Sequence, residues 1–157
     1  MEQMKMQFPE WTKVAEVELV YKTRVKASER PLIKSSADTY KLLREIWDDN
    51  KIEMQEEFKV LFLNRGNRVI GVYDASTGGI CGTVADPRLI LAAALKSLSV
   101  SLILAHNHPS GNLKPSRADE ELTSKINEAA KFHDIKVLDH IILTSEQYYS
   151  FADEGLL

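Results

Sequence analysis

The stretch SLILAHNHPSGNLKPSRAD, residues 101–119, decides how the rest of the sequence is read. SLILA is a short, continuous apolar run of the kind that forms an interior strand with both faces covered. If that strand carries on through Ala105, side chains two positions apart share a side. His106 and His108 then project together, and Asn107 points away. Two imidazoles converging at a strand end make a ready pair of nitrogen ligands. Pro109, Ser110 and Gly111 end the strand and send the chain back over that pair.

Ser116, followed three residues later by Asp119, places an acid in the first turn of the next helix. That helix is expected over about residues 116–133, with Leu122, Ile126, Ala129 and His133 in step. Taken alone, Ser-x-x-Asp is nearly a capping box, and a structural role would account for it. Beside His-x-His and the Pro-Ser-Gly loop it reads instead as a carboxylate returning to the two histidines, with Ser116 still free to cap the helix. Three protein ligands leave a fourth tetrahedral position for water, which marks a catalytic zinc site rather than a structural one. One Zn2+ per chain, held by His106, His108 and Asp119, is the expected cofactor.

Outward from this stretch, strands and helices alternate. EVELVYKTRV, residues 16–25, has Val17, Leu19 and Tyr21 in phase and reads as a half-buried strand. Ser35 or Ser36 can cap a helix that carries Leu42, Leu43, Ile46 and Trp47 on one face and ends near Asn50. FKVLFLN and RVIGVYDAS flank Arg65-Gly66-Asn67 and read as a hairpin. STGGICGT is a glycine-rich loop, and Asp86-Pro87 opens a helix. Residues 89–98 are apolar on nearly all sides, so this should be the most buried helix. KVLDHIILT and EQYYSF close the chain as two strands. The order β-α-β-β-α-β-α-β-β implies an α/β domain, helices layered on both faces of one mixed sheet. Residues 1–15 show no pattern, so the expectation is an irregular N-terminal segment and one domain over 16–157.

With 157 residues, 44% of them hydrophobic, the chain can bury a core without disulfides. Its single cysteine, Cys81, excludes an internal disulfide, reads as a small packed or loop thiol, and fits a reducing cytoplasm. No apolar run approaches the roughly 20 residues of a membrane span, and the N-terminus lacks the apolar segment of a secretory signal. A net charge of −3 offers nucleic acid no general attraction. Lys22, Arg24, Lys26 and Arg30 read as a solvated strand face and turn, leaving at most weak, non-specific binding. An exposed edge strand near the termini could support a homodimer.

His106-x-His108, seven residues, Ser116, two residues and Asp119 resembles the JAMM motif of MPN-type metallopeptidases and deubiquitinases. More closely, HNHPSGNLKPSRAD with VLDHIIL and SFADEGLL is similar to the RadC family, from about residue 56 to the end. The resemblance implies a three-layer α/β/α, cytidine-deaminase-like JAB/MPN fold with a single zinc. It implies that His106, His108 and Asp119 are the ligands and that Ser116 hydrogen-bonds the substrate carbonyl or oxyanion. It also implies an upstream glutamate that activates the zinc-bound water, a base that the chemistry requires in any case. Glu53, Glu56 and Glu57 are the candidates; the family's glutamate stands two residues before the phenylalanine that starts the apolar strand, here Phe58, which selects Glu56. Period-two geometry faces Glu57 the other way. His140 matches the family's Leu-Asp-His motif, with a supporting or packing role expected rather than ligation; His133 is expected to be a partly buried structural histidine. RadC proteins often carry a helix-hairpin-helix DNA-binding module, and no such pattern precedes Glu56.

The implied function is a zinc metallopeptidase acting on a peptide or isopeptide. Three alternatives stand beside it. A zinc nucleobase deaminase would need His-x-Glu and a downstream Pro-Cys-x-x-Cys, which His108 and the lone Cys81 exclude. A non-haem iron oxygenase also uses two histidines and a carboxylate, but the helix-rich order suits it poorly. The third is a non-catalytic, metal-stabilised interaction domain associated with DNA repair or mobile-element processing. Scaffold-only MPN domains typically lack the ligand set, which argues for catalysis here.

Overall fold

A computed structural model describes residues 14–18, 20–78 and 85–157. The elements, in chain order, are α1 (Ser36–Ile46), β1 (Glu57–Leu63), β2 (Val69–Thr77), α2 (Pro87–Lys96), β3 (Ser101–Asn107), α3 (Arg117–Lys131), β4 (Lys136–Leu143) and β5 (Tyr148–Ser150). The strands form one sheet in the order β2-β1-β3-β4-β5. β3 lies at its centre, antiparallel to β1 and parallel to β4, and every one of its residues is buried. The continuous apolar run SLILA thus occupies the position its composition demands.

Period-two alternation sorts the core into two halves. Phe58, Val60 and Phe62 of β1 and Leu102 and Leu104 of β3 face Ile90 and Ala94 of α2 and Ile126 and Ala130 of α3. Leu61, Leu63, Ile103 and Ala105 face the opposite way, onto Leu43 of α1 and onto Trp47 and Ile52 just after it. The result is the α/β fold anticipated: α1 on one face, the sheet between, α2 and α3 on the other. In the β1–β3 register Phe58 stands opposite His106. His106 therefore belongs to the α2/α3 face, while Asn107 belongs to the α1 face.

Most predicted elements form, with four corrections. Among the described residues of 16–25 there is no strand: Val17 is 88% exposed, and the Tyr21 hydroxyl donates to the Ile70 carbonyl at 2.6 Å. An alternating run becomes a strand only when it finds a ladder partner and something to cover its apolar side, and among the described residues this one has neither. Leu19 lies outside the described residues, as does Cys81 with the end of the glycine-rich loop. Lys22, Arg24, Lys26 and Arg30 accordingly lie on irregular chain, not on a strand face.

Helix α1 stops at Ile46 rather than near Asn50, because Trp47 turns to an extended backbone and the Asp48 carboxylate then accepts from the Asn50 N–H. α2 is not deeply buried. Only Ile90 and Ala94 are enclosed, while Leu89 and Leu95 are about half exposed. The sheet covers a single stripe of an outer-layer helix, whatever the composition of its remaining sides. His133 follows the α3 C-cap, Phe132, and is exposed rather than partly buried.

Candidate metal centre

Two strand ends and one helix start converge on the predicted residues. β3 delivers His106, 1% exposed, its ring stacked nearly parallel on Phe58 with centroids 5.8 Å apart. His108 stands just past the strand, where its N–H donates to the Leu143 carbonyl of β4 at 3.0 Å and prolongs the parallel ladder by one step. The chain then reverses. Gly111 adopts φ 83°, a conformation that favours glycine, and its N–H donates to the His108 carbonyl.

α3 supplies the acid. Asp119, Thr123, Ile126 and Ala130 fall on one stripe of the helix by three- and four-residue steps, and the last three are buried against the sheet. Asp119 is thereby aimed inward from the first turn. Its N–H donates to Ser116 Oγ at 3.1 Å, and its Oδ2 accepts from the Ser116 N–H at 2.8 Å. The capping box is real, and it orients the carboxylate rather than consuming it. The other oxygen, Oδ1, lies 3.3 Å from His106 Nε2, and Oδ2 lies 3.5 Å from His108 Nε2.

The two Nε2 atoms are 2.9 Å apart, and one ligand atom from each of His106, His108 and Asp119 falls within 4.8 Å of the others. Tetrahedral coordination at about 2.0–2.1 Å sets ligand atoms roughly 3.3 Å apart, close to the separations here. The chemistry of the donor set agrees. His108 Nδ1 lies 2.5 Å from the Asn112 carbonyl oxygen, which can only accept, so the ring hydrogen sits on Nδ1 and Nε2 presents a lone pair. Lone pairs facing a carboxylate at this range call for positive charge between them, a proton or a metal ion.

The titration directions express the same demand. Burial pushes the His108 pKa down, but the Asp119 carboxylate, the Asn112 carbonyl and the charge of Glu56 outweigh it and leave the pKa raised. Burial pushes Asp119 up; contacts with His106 and His108 and the Ser116 N–H hold it well below the carboxylate range. Without a metal, these shifts favour a protonated His108 beside an ionised Asp119.

Glu56 immediately precedes β1 and is half-buried, near enough for its charge to act on His108. Glu57 is buried in phase with Lys59 on the opposite face. Glu53 is exposed and accepts from the Ser145 hydroxyl at 2.8 Å. The Ser116 hydroxyl is exposed, and among the described residues nothing accepts its hydrogen. A cavity of about 420 Å³ opens beside this group, lined by Glu53, His108, Pro109, Thr144 and Glu146 among others.

Three further residues join the site. Asn107, fully buried, reaches back to the chain around Glu56. His140, also fully buried, has its Nε2 2.7 Å from His106 Nδ1 and its Nδ1 2.6 Å from Thr123 Oγ1, between the rings of Phe58 and Phe151. Burial holds the His140 pKa well below the usual imidazole value, so the ring is neutral. The supporting role expected of His140 has a concrete form in these contacts. Thr123 was not singled out; its signal was its place one turn after Asp119.

Comparison with known proteins agrees with this architecture. A UPF0758 protein of Flavobacterium johnsoniae is 47% identical over 124 residues, covering 79% of this chain and 53% of that protein. One from Porphyromonas gingivalis is 40% identical over 135 residues, covering 85% of this chain and 60% of that protein. UPF0758 protein YfjY of Escherichia coli is 43% identical over 103 residues, 66% of this chain and 64% of that protein. The chain thus spans a little over half the length of these relatives. A family model described as the RadC-like JAB domain matches residues 33–156. With four-fifths of its length so matched and a His-His-Asp group able to hold a metal ion, the chain belongs to the RadC-like JAB domain family.

Proposed function

We propose that the chain is a zinc-dependent metallopeptidase or isopeptidase, with His106, His108 and Asp119 as the zinc ligands. The observation that carries this reading is the convergence of two imidazole nitrogens and a carboxylate at metal-ligand separations, beside an open cavity. Zinc held there would act as a Lewis acid on a carbonyl and lower the pKa of water. The chain's own residues supply the rest. Glu56 takes a proton from the attacking water and can return it to the leaving nitrogen. Ser116 donates its hydroxyl hydrogen to the carbonyl oxygen as negative charge develops there. The cavity walled by His108, Pro109 and Glu146 receives the peptide on one side of the scissile bond. The setting proposed is the cytoplasm. Among the described residues, no helix is long and apolar enough to cross a membrane.

The capping box favours one competitor, a domain that keeps its metal for stability alone, because Ser116 and Asp119 already have a structural task. Metal analysis of protein purified without added metal, followed by assay on a panel of unmodified peptides and isopeptide-linked substrates, separates the two. One zinc per chain with cleavage abolished by a chelator and restored by zinc supports the peptidase. Full zinc occupancy with no cleavage across the panel sinks it in favour of the structural domain.

A further inference from the structure

The contact between His106 and His140 is one link in a continuous chain of hydrogen bonds, and each link needs one hydrogen. At one end the Asp119 backbone carbonyl lies 2.6 Å from Thr123 Oγ1. A carbonyl has no hydrogen, so the threonine must donate. Its single hydrogen is then spent, and the next contact, Thr123 Oγ1 to His140 Nδ1 at 2.6 Å, must be made by a hydrogen on Nδ1. The His140 ring is enclosed between Phe58 and Phe151, its two nitrogens meet His106 and Thr123 rather than a carboxylate, and as a neutral ring it carries that one hydrogen only. Its Nε2 is therefore an acceptor, and the 2.7 Å contact with His106 requires a hydrogen on His106 Nδ1. His106 Nε2 is left with its lone pair directed at His108 and Asp119. The reverse assignment would press two hydrogen-free oxygens together at 2.6 Å and would place a hydrogen on His106 Nε2, where it blocks ligation.

We infer that Thr123 and His140 are positioning residues that fix the ring tautomer of His106 and so make its Nε2 a metal ligand. This rests on the metal-centre reading above, and it adds the origin of the ligand's state. The relay begins at the backbone of Asp119, so one ligand sets the protonation of another through the turn of helix that carries it. His108 has its own arrangement, through the Asn112 carbonyl, and does not depend on the relay.

Two measurements test the inference. Long-range ¹⁵N–¹H correlation spectra of the metal-free protein at pH 8 report which ring nitrogen of each histidine bears the hydrogen. His106 and His140 should both be Nδ1–H in the parent chain and in Thr123→Ser. Thr123→Val keeps the side-chain shape and removes the acceptor, and should shift His140 and His106 toward Nε2–H. Zinc titration against a competing chelator should then show affinity reduced by about 10–100-fold in Thr123→Val, as for loss of a partner that orients a ligand, and near-parent affinity in Thr123→Ser. An Nε2–H tautomer for His106 in the parent overturns the inference, as does parent-like zinc affinity in Thr123→Val. If the parent binds no zinc while both tautomers are as stated, the relay stands and the zinc assignment fails.

Discussion

Asn107 holds the backbone on both sides of Glu56. Its Oδ1 accepts from the Glu57 N–H at 2.7 Å, and its Nδ2 donates to the carbonyls of Gln55 at 2.9 Å and Ile52 at 2.8 Å. The residue between the two histidines thus points away from the candidate metal centre and still serves it, by fixing the segment that carries the proposed base. Replacing Asn107 with Ala would leave these buried groups without partners, at about 1–3 kcal/mol for each one unsatisfied. Urea unfolding should show the loss. Elemental analysis should still find metal, since His106, His108 and Asp119 are untouched.

One zinc per chain is expected, with His108→Ala stripping it. The variant removes one of three ligands and leaves His106 and Asp119 in place. Full zinc occupancy in His108→Ala, measured by elemental analysis, would contradict the ligand assignment.

Glu56→Gln keeps the shape of the side chain and removes its basicity. It should bind zinc and fold like the parent, yet hydrolyse an identified substrate about 10²–10⁴-fold more slowly. Glu57→Gln, on the other face of the sheet, should turn over like the parent. The opposite pattern would shift the base to Glu57. Parent-like turnover in both variants would remove the proposed mechanism.

The stability of the metal-free chain should depend on pH from both sides. The Asp119 pKa is lowered on folding, so its contribution is present above the ordinary value of 3.8 and is lost as the pH falls below it. The His108 pKa is raised, so its contribution is full below the ordinary value of 6.5 and is lost as the pH rises through the raised folded value. The pairing is strongest between these limits. Urea midpoints measured with and without zinc should differ most above that window, where the metal no longer competes with the His108 proton. Equal zinc stabilisation at pH 5 and pH 8 would contradict this.

Binding of DNA should be weak and should fall steeply as salt rises, since the net charge is −3 and any contact must come from local basic residues. Tight, sequence-specific binding at physiological salt in a mobility-shift titration would count against it.

The sequence by itself determined what is local. The Arg65-Gly66-Asn67 turn signal between the β-rich runs FKVLFLN and RVIGVYDAS specified the hairpin, the unbroken run SLILA specified the central strand, and Ser116 specified where α3 begins. The two-residue spacing also put His106 and His108 on one side of the chain, and the three-residue spacing put Asp119 in the first turn of α3. Tertiary structure decided everything that depends on a distant neighbour. Residues 16–25 carry a strand pattern, yet the described residues among them remain irregular for want of a ladder partner. α2 carries apolar residues around most of its circumference and lies half exposed, because the sheet covers one stripe. Asn107 finds its partners 50 or more residues away, and His140 meets His106 across 34. Periodicity states which way a side chain points; only the packed sheet states what it meets there, and in a buried polar site the hydrogen on each ring is set by what it meets.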